Sequence, residues 1–434
     1  MKANEANPAV VARHALGWLV VGNAIGVGLA VLLLVPSLNS LLGEWTYGRW
    51  MMVHMNVLLY GWCGIPLMGI LFRVYHTSDG SFAGWIKPIT WLWSASLVVG
   101  SLSWLGGHSS GKLFLDWTGF SRVFVSVAML SLWVLLALGF VHAVRSGIAC
   151  KGLSFAAKTV GLGLLLGVPF AVYIASNPNL YPAINPDSGG PTGSSQLESS
   201  LGIVLLLLLL PLGITKRKAG RQRVLKLAWF AMVLQAGLCV SMGRTDASHH
   251  QPLQYLGLAT MAIWAFLMPV YYASFEWSVA SQRWRTALLW WWGGLVVSGC
   301  VLFLPGVLDR FKFTDGLVGH SLTAVAGFLT AFLIFVMVEV GGEQHAWIFN
   351  RAWSFYAWNM GVLAYVLLMT IAGWIESSDP AFTIAPGAAR NAFYALRALT
   401  GMAMYVASAE WLKNAMAIGP SRTVAAKELG VAAA

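Results

Sequence analysis

The stretch FKFTDGLVGHSLTAVAGF, residues 311–328, places an aspartate and a histidine at the start of a long apolar segment. Between His320 and Glu339 the chain carries no Asp, Glu, Lys or Arg. An uncharged segment of about 20 residues predicts a helix that crosses a membrane. Because an ionisable side chain inside a bilayer is energetically costly, His320 is a candidate functional residue.

The composition extends this prediction to the whole chain. Hydrophobic residues make up 58% of the 434 residues and charged residues only 10%, and the mean hydropathy is +0.70. That leaves too little polar surface for a soluble domain, so we expect a polytopic membrane protein. The net charge of +11 comes from cations in short loops, which indicates membrane topology and no nucleic-acid partner. Four scattered cysteines predict no disulfide framework, zinc site or covalently attached haem.

Twelve apolar segments are long enough to span a bilayer, and we expect them to form one all-α membrane domain over residues 1–434. The Gly/Pro/Ser-rich stretch 177–196 is predicted to be a loop, and the sequence shows no clear internal repeat. The predicted spans are approximately 15–37, 51–73, 86–106, 122–143, 155–175, 197–215, 224–242, 253–274, 287–305, 317–338, 354–375 and 391–414.

Alternate loops differ in their cations, and this difference predicts the orientation. The loop after predicted helix 6, TKRKAGRQRVLK, carries six Lys and Arg, whereas the loop 177–196 carries none. Both termini are therefore expected on the cytoplasmic side of a bacterial-type inner membrane.

This orientation assigns each of the nine histidines to the cytoplasmic or the outer side of the membrane. His54 and His320 both lie a few residues inside helices, at similar depth from the outer face. An imidazole is a good axial ligand for haem iron, and a helical bundle can hold a haem between facing helices. The alternative is that a neutral histidine near a helix end bonds to a backbone carbonyl. His108, His249 and His250 lie in loops, where solvation is the simpler explanation.

Several motifs resemble subunit I of the haem-copper oxidase superfamily, in the branch of cbb-type cytochrome c oxidases and bacterial nitric oxide reductases. YGRWMMVHMNVLLYGW is similar to the family's helix 2, SWLGGHSSGKLFLDW to its loop after helix 3, and FKFTDGLVGHSLTAVAGF to its helix 10 signature. The segments WSFYAWNMGVLAYVLLMTIAGW and FYALRALTGMAMYVASAEW resemble helices 11 and 12. The resemblance runs nearly end to end.

This resemblance implies a twelve-helix bundle in which His54 binds a low-spin haem and His320 a high-spin haem. The family's helix 10 carries His-x-His, and two such positions point about 200° apart around a helix, toward two haems. Here the second histidine is replaced by Leu322, which cannot bind iron.

The family's remaining metal ligands and its proton path also have no clear match. Its adjacent histidine pair falls on Arg244 and Thr245, and His249 with His250 would replace it as metal ligands only if the loop shifted. Predicted helix 6 has no histidine and contains six consecutive leucines where the family's proton path runs, and helix 7 lacks the catalytic tyrosine. Copper is therefore not expected.

Three functions remain open. The first is a degenerate oxidase subunit that binds one or two b-type haems and serves electron transfer or assembly with cytochrome c-type or other oxidase subunits. The second is an active, divergent oxygen or nitric oxide reductase. The third is a structural protein or transporter without cofactors, which we rank last because no charged residue lies deep inside a predicted helix.

Overall fold

The computed structural model describes residues 6–79, 81–112, 115–148, 152–184, 197–242 and 252–418. These residues are mostly helical, which confirms the predicted all-α class. The principal helices are α1 (Ala6–Leu34), α2 (Tyr47–Val74), α3 (Ile86–Leu105), α4 (Ser121–Arg145), α5 (Leu153–Ala175), α6 (Leu197–Ile214), α7 (Gln222–Met242), α8 (252–272), α9 (Gln282–Leu302), α10 (Asp315–Gly341), α11 (Ala352–Glu376) and α12 (Ala388–Ala417).

Each predicted span therefore overlaps one of these helices, although the bounds differ. Within the described ranges, nine of these helices are long and apolar enough to cross a membrane, so the chain is a multi-pass membrane protein. The three that are not among the nine are α3, α6 and α12. That these also cross the membrane stays a prediction.

Contacts along the chain divide it into two compact units. The first comprises Met1–Ala183 with Tyr405–Ala434, and the second comprises Ile184–Met404. Helices α1 to α5 and the end of α12 thus belong to the first unit, and α6 to α11 with the start of α12 to the second. The single membrane domain predicted from the sequence is left untested by this division.

Polar contacts join neighbouring helices inside each unit, where a bilayer would offer no water to satisfy them. In the first unit, Asn23 on α1 donates to Ser408 Oγ at 3.0 Å. In the second unit, the Tyr271 hydroxyl of α8 donates to the Leu208 carbonyl of α6 at 2.7 Å. These bonds hold helices whose surfaces are apolar on nearly every side.

Residue-level signals fix the two ends of α10. Thr314 precedes the helix and its side chain accepts a hydrogen bond from the Gly316 amide at 3.2 Å, the arrangement of an N-cap. Gly342 follows the helix with φ of +64°, a conformation that glycine adopts without strain. The cap places His320 one and a half turns inside the helix.

Candidate functional site

The two helices that carry His54 and His320 share an irregularity. Each contains a seven-residue π-helical segment, Val57–Cys63 in α2 and Thr323–Leu329 in α10. In both, the segment begins three residues after the histidine. Single π turns inside α-helices are rare and occur frequently at functional sites.

His54 is held against α1 in the first unit. Its Nδ1 lies 2.8 Å from the Gly22 carbonyl, and a carbonyl can only accept, so Nδ1 carries the proton. A neutral imidazole protonated on Nδ1 has its lone pair on Nε2. A Cβ on Gly26 would lie 2.6 Å from His54 Cε1, so only glycine allows α1 to approach the ring this closely.

His320 is held against α9 in the second unit by a different hydrogen-bond acceptor. Its Nδ1 lies 3.0 Å from Ser298 Oγ, and the same hydroxyl donates to the Leu295 carbonyl at 3.1 Å. Because a hydroxyl has one proton, Ser298 accepts from His320 Nδ1 and the lone pair again falls on Nε2. A Cβ on Gly299 would be 3.6 Å from His320 Cε1, an ordinary contact.

Each histidine is followed seven residues later by a glycine that lies under a tryptophan. A Cβ on Gly61 would come within 2.5 Å of the Trp18 side chain, and a Cβ on Gly327 within 2.5 Å of Trp291. Trp18 lies eight residues before Gly26 on α1, and Trp291 lies eight residues before Gly299 on α9. Helix α1 therefore contacts α2, and α9 contacts α10, at two matching positions: one beside the histidine and one beside the glycine seven residues later.

The indole of each of these tryptophans donates to the neighbouring third helix. Trp18 Nε1 bonds to Ser94 Oγ of α3 at 3.1 Å, and Trp291 Nε1 bonds to Asn359 Oδ1 of α11 at 2.8 Å. The residue before each acceptor is another tryptophan, Trp93 or Trp358.

These second tryptophans contact the π segments themselves. Trp93 Nε1 donates to the Tyr60 carbonyl at 2.8 Å, and Trp358 Nε1 donates to the Ala326 carbonyl at 3.0 Å. Both carbonyls lie six residues after the histidine. They directly follow Leu59 and Val325, whose carbonyls accept the five-residue bonds of the π turn. In each module, an indole therefore donates to the backbone carbonyl at which the helix changes from the five-residue hydrogen bonds of the π turn back to the four-residue bonds of an α-helix.

Helices α1 to α3 and α9 to α11 therefore form two copies of one three-helix arrangement, which we call the histidine module. The sequence shows no clear repeat because the modules share few identical residues and their connecting loops differ in length. His54 and His320 lie in different units, and the contacts described above hold each of them within its own module.

A polar cluster fixes the start of α10 in the second unit. Glu376 of α11 accepts a hydrogen bond from the Asp315 amide at 2.7 Å. Arg397 of α12 lies 3.5 Å from Asp315 Oδ1 and donates to the Tyr365 hydroxyl at 2.7 Å. Gly373 and Gly316 lie back to back, since a Cβ on Gly373 would fall 2.0 Å from the Gly316 amide nitrogen.

Sequence reasoning identified Asp315 but missed the partners of this cluster. Arg397 is the tenth residue of α12, inside a segment predicted to span the membrane, so the expectation that no charge lies deep within a helix is too simple. A usable signal was the spacing of Arg390 and Arg397, which puts both on one face of the helix two turns apart.

The remaining candidates separate into two groups. Leu322 is half-buried and directly precedes the π segment of α10, while His108 is exposed in the loop after α3. His249, His250, Arg244 and Thr245 lie outside the described residues. In the part of the chain that is described, no three His, Cys, Asp or Glu side chains gather into a group able to hold a metal ion.

The Nδ1 hydrogen bond of each histidine is of the kind that an iron-ligating histidine makes. Iron-ligating histidines commonly donate their second ring N–H to a carbonyl or another acceptor, which fixes the tautomer and the ring orientation. Both modules provide this bond at Nδ1, with one histidine in each. A structural histidine in a membrane helix makes the same bond. No protein-family model matches the chain, and comparison with curated proteins finds no significant match.

Proposed function

We propose that this protein binds b-type haem through His54 and His320 and transfers electrons within a respiratory membrane complex. The proposal includes a twelve-helix bundle like that of haem-copper oxidase subunit I, with both termini cytoplasmic in a bacterial inner membrane. It also includes cytochrome c-type or other oxidase subunits as partners, and no oxygen-reducing metal centre.

The observation that supports this proposal most is the duplication of the histidine module. A structural histidine needs one hydrogen bond, and a single glycine or serine would supply it. Here two helix triplets with few residues in common repeat the π segment, the glycine beneath a tryptophan and the indole bonds around each histidine. Repeated use of rare backbone geometry around one residue type favours a shared ligand-binding role.

Each module has a defined task in this function. The Gly22 carbonyl and the Ser298 hydroxyl hold each imidazole protonated on Nδ1, so Nε2 would be the nitrogen that binds iron. Gly26 lets α1 support the His54 ring closely, whereas α9 supports the His320 ring at ordinary contact distance. The haem, when bound, supplies one-electron transfer.

Leu322 limits the number of haem ligands that α10 can provide. A single imidazole on α10 provides one ligand, where the family motif provides two on opposite sides of the helix. Leu322 therefore leaves His54 as the one histidine ligand of its haem, and the proposal leaves out oxygen reduction because the family's copper ligands, catalytic tyrosine and proton path have no clear match in the sequence.

The test is haem analysis of the purified full-length protein and of two variants. We expect a b-type haem in the pyridine haemochrome assay, loss of the low-spin signal in the reduced-minus-oxidised spectrum of His54→Ala, and loss of the high-spin signal in that of His320→Ala. His108→Ala is the matched control and should leave the spectrum unchanged.

The other outcomes separate the alternatives. Stoichiometric copper together with a haem that binds carbon monoxide would support the active reductase and reject the relay. A protein purified from haem-replete cells with neither haem nor copper would favour the structural alternative. Unchanged spectra of both histidine variants would show that the ligand assignment is wrong.

A further inference from the structure

A cluster of six cations lies in the second unit, in the loop between α6 and α7 and in the first turns of α7. These residues, which we call the basic loop, are exposed, and the chain carries no Asp or Glu from Ser199 to Thr245. The cations are Lys216, Arg217, Lys218, Arg221, Arg223 and Lys226. Such a dense, one-sign cluster creates a strong local positive potential.

The backbone of the basic loop is fixed rather than free. Lys218 N–H donates to the Ser274 carbonyl at 2.9 Å, and the Glu276 amide donates to the Lys216 carbonyl at 2.9 Å. Between these bonds, Arg217 and Phe275 form an antiparallel bridge. The loop is thus paired with the segment that directly follows α8.

A buried aromatic base supports this pairing. Phe275 is 1% exposed and its ring packs against Tyr271, with the ring centroids 5.1 Å apart. Trp277 stacks on Tyr272 at 5.6 Å and donates to the Tyr272 carbonyl at 2.7 Å. The cations therefore project from a rigid platform at the ends of α6, α7 and α8.

The six cations have no acidic partners in the described part of the chain. No ion pair involves any of them, and the Lys218 ammonium donates instead to the Ala273 carbonyl at 3.1 Å. Glu276 on the paired segment is exposed and adds one negative charge against these six positive ones. Because α7 and α8 are candidate membrane spans, these charges lie where a bilayer's headgroups begin.

We propose that the basic loop is a binding site for anionic phospholipid, with the lipid phosphate held by Arg217 and Arg221. The occupant is a lipid rather than a soluble anion because the platform ends directly on apolar helices, which would contact the acyl chains. Clusters of four to eight Lys and Arg at the end of a membrane helix favour anionic headgroups. This site is independent of the haem proposal.

The test compares lipid retention by native mass spectrometry. The full-length protein is released from micelles that contain equal amounts of phosphatidylglycerol and phosphatidylcholine. We expect wild type to retain phosphatidylglycerol preferentially, and Arg217→Gln/Arg221→Gln to lose affinity for it by about tenfold. A high concentration of sodium chloride should lower the preference of wild type for phosphatidylglycerol, because salt screens the charges. Free glycerol phosphate should not displace the lipid.

The matched control is Lys87→Gln/Arg145→Gln, which removes the same charge from two exposed positions in the first unit. It should retain the wild-type preference. An equal loss in both double variants, or equal retention of the two lipids by wild type, would overturn the proposal. Displacement by glycerol phosphate would assign the site to a soluble phosphate instead. The substituted side chains are exposed, so an unchanged melting temperature verifies that both variants fold.

Discussion

Gly26 and Gly299 occupy matching places beside the two histidines, yet substitution should affect them differently. A methyl group on Gly26 would overlap His54 Cε1 at 2.6 Å, whereas one on Gly299 would meet His320 at 3.6 Å. We expect Gly26→Ala to lower the free energy of unfolding by about 1–3 kcal/mol through overpacking. Gly299→Ala should be neutral or stabilising by up to about 1 kcal/mol, from its better helix propensity. Denaturant unfolding in detergent measures both, and equal stability of the two variants would contradict the close contact at His54.

His345 predicts a pH dependence. Burial is the main cause that lowers the pKa of His345 below its ordinary value of 6.5, and a backbone hydrogen bond at Gly341 partly opposes this shift. The unfolded chain therefore binds the proton first, and stability is lost as pH falls from the unfolded pKa toward the lower folded pKa.

We accordingly expect the melting temperature of wild type to fall more between pH 7.5 and pH 5, a window set about the ordinary value, than that of His345→Gln. The glutamine variant keeps a neutral polar group at this position. Parallel pH profiles for the two proteins would show that His345 does not contribute.

At the scale of the helix, the π segments depend on the tryptophans beside them. Trp93→Phe and Trp358→Phe each remove the indole N–H that satisfies the Tyr60 or Ala326 carbonyl. An unsatisfied buried carbonyl costs about 1–3 kcal/mol, so both variants should lose stability by similar amounts. Trp290→Phe is the control, because Trp290 is 78% exposed and its loss should change little. A destabilisation in only one module would show that the two π segments are not equivalent.

The helices themselves were predictable, but their internal irregularities were not. Runs such as the residues after His320 are apolar for the length of a bilayer, and this alone specifies a helix, since the backbone must bond to itself in lipid. A π turn has no comparable local signal. It forms where a glycine such as Gly327 lies under Trp291 and an indole from α11 compensates the carbonyl, contacts that join residues distant in the chain.

For the whole molecule, the proposed topology requires α6 to cross the membrane although it is short. Asn179→Cys and Ala219→Cys flank this helix at exposed positions. In a background without the native cysteines, a membrane-impermeant maleimide should label Asn179→Cys in intact spheroplasts and Ala219→Cys only after lysis. Labelling of both in intact cells would contradict the crossing and the predicted orientation.

The sequence by itself determined that this is an all-helical, multi-pass membrane protein, and it singled out His54 and His320, because hydrophobicity and the cost of polar groups in lipid act locally. Only the tertiary structure decided how those histidines are held. Gly22, Gly26, Ser298 and the four tryptophans come from other helices, and the pattern they form is repeated through contacts rather than through shared sequence. The pairing of Arg397 with Asp315 was likewise decided only by the tertiary structure. Its charge is tolerated within α12 because a partner on another helix meets it there.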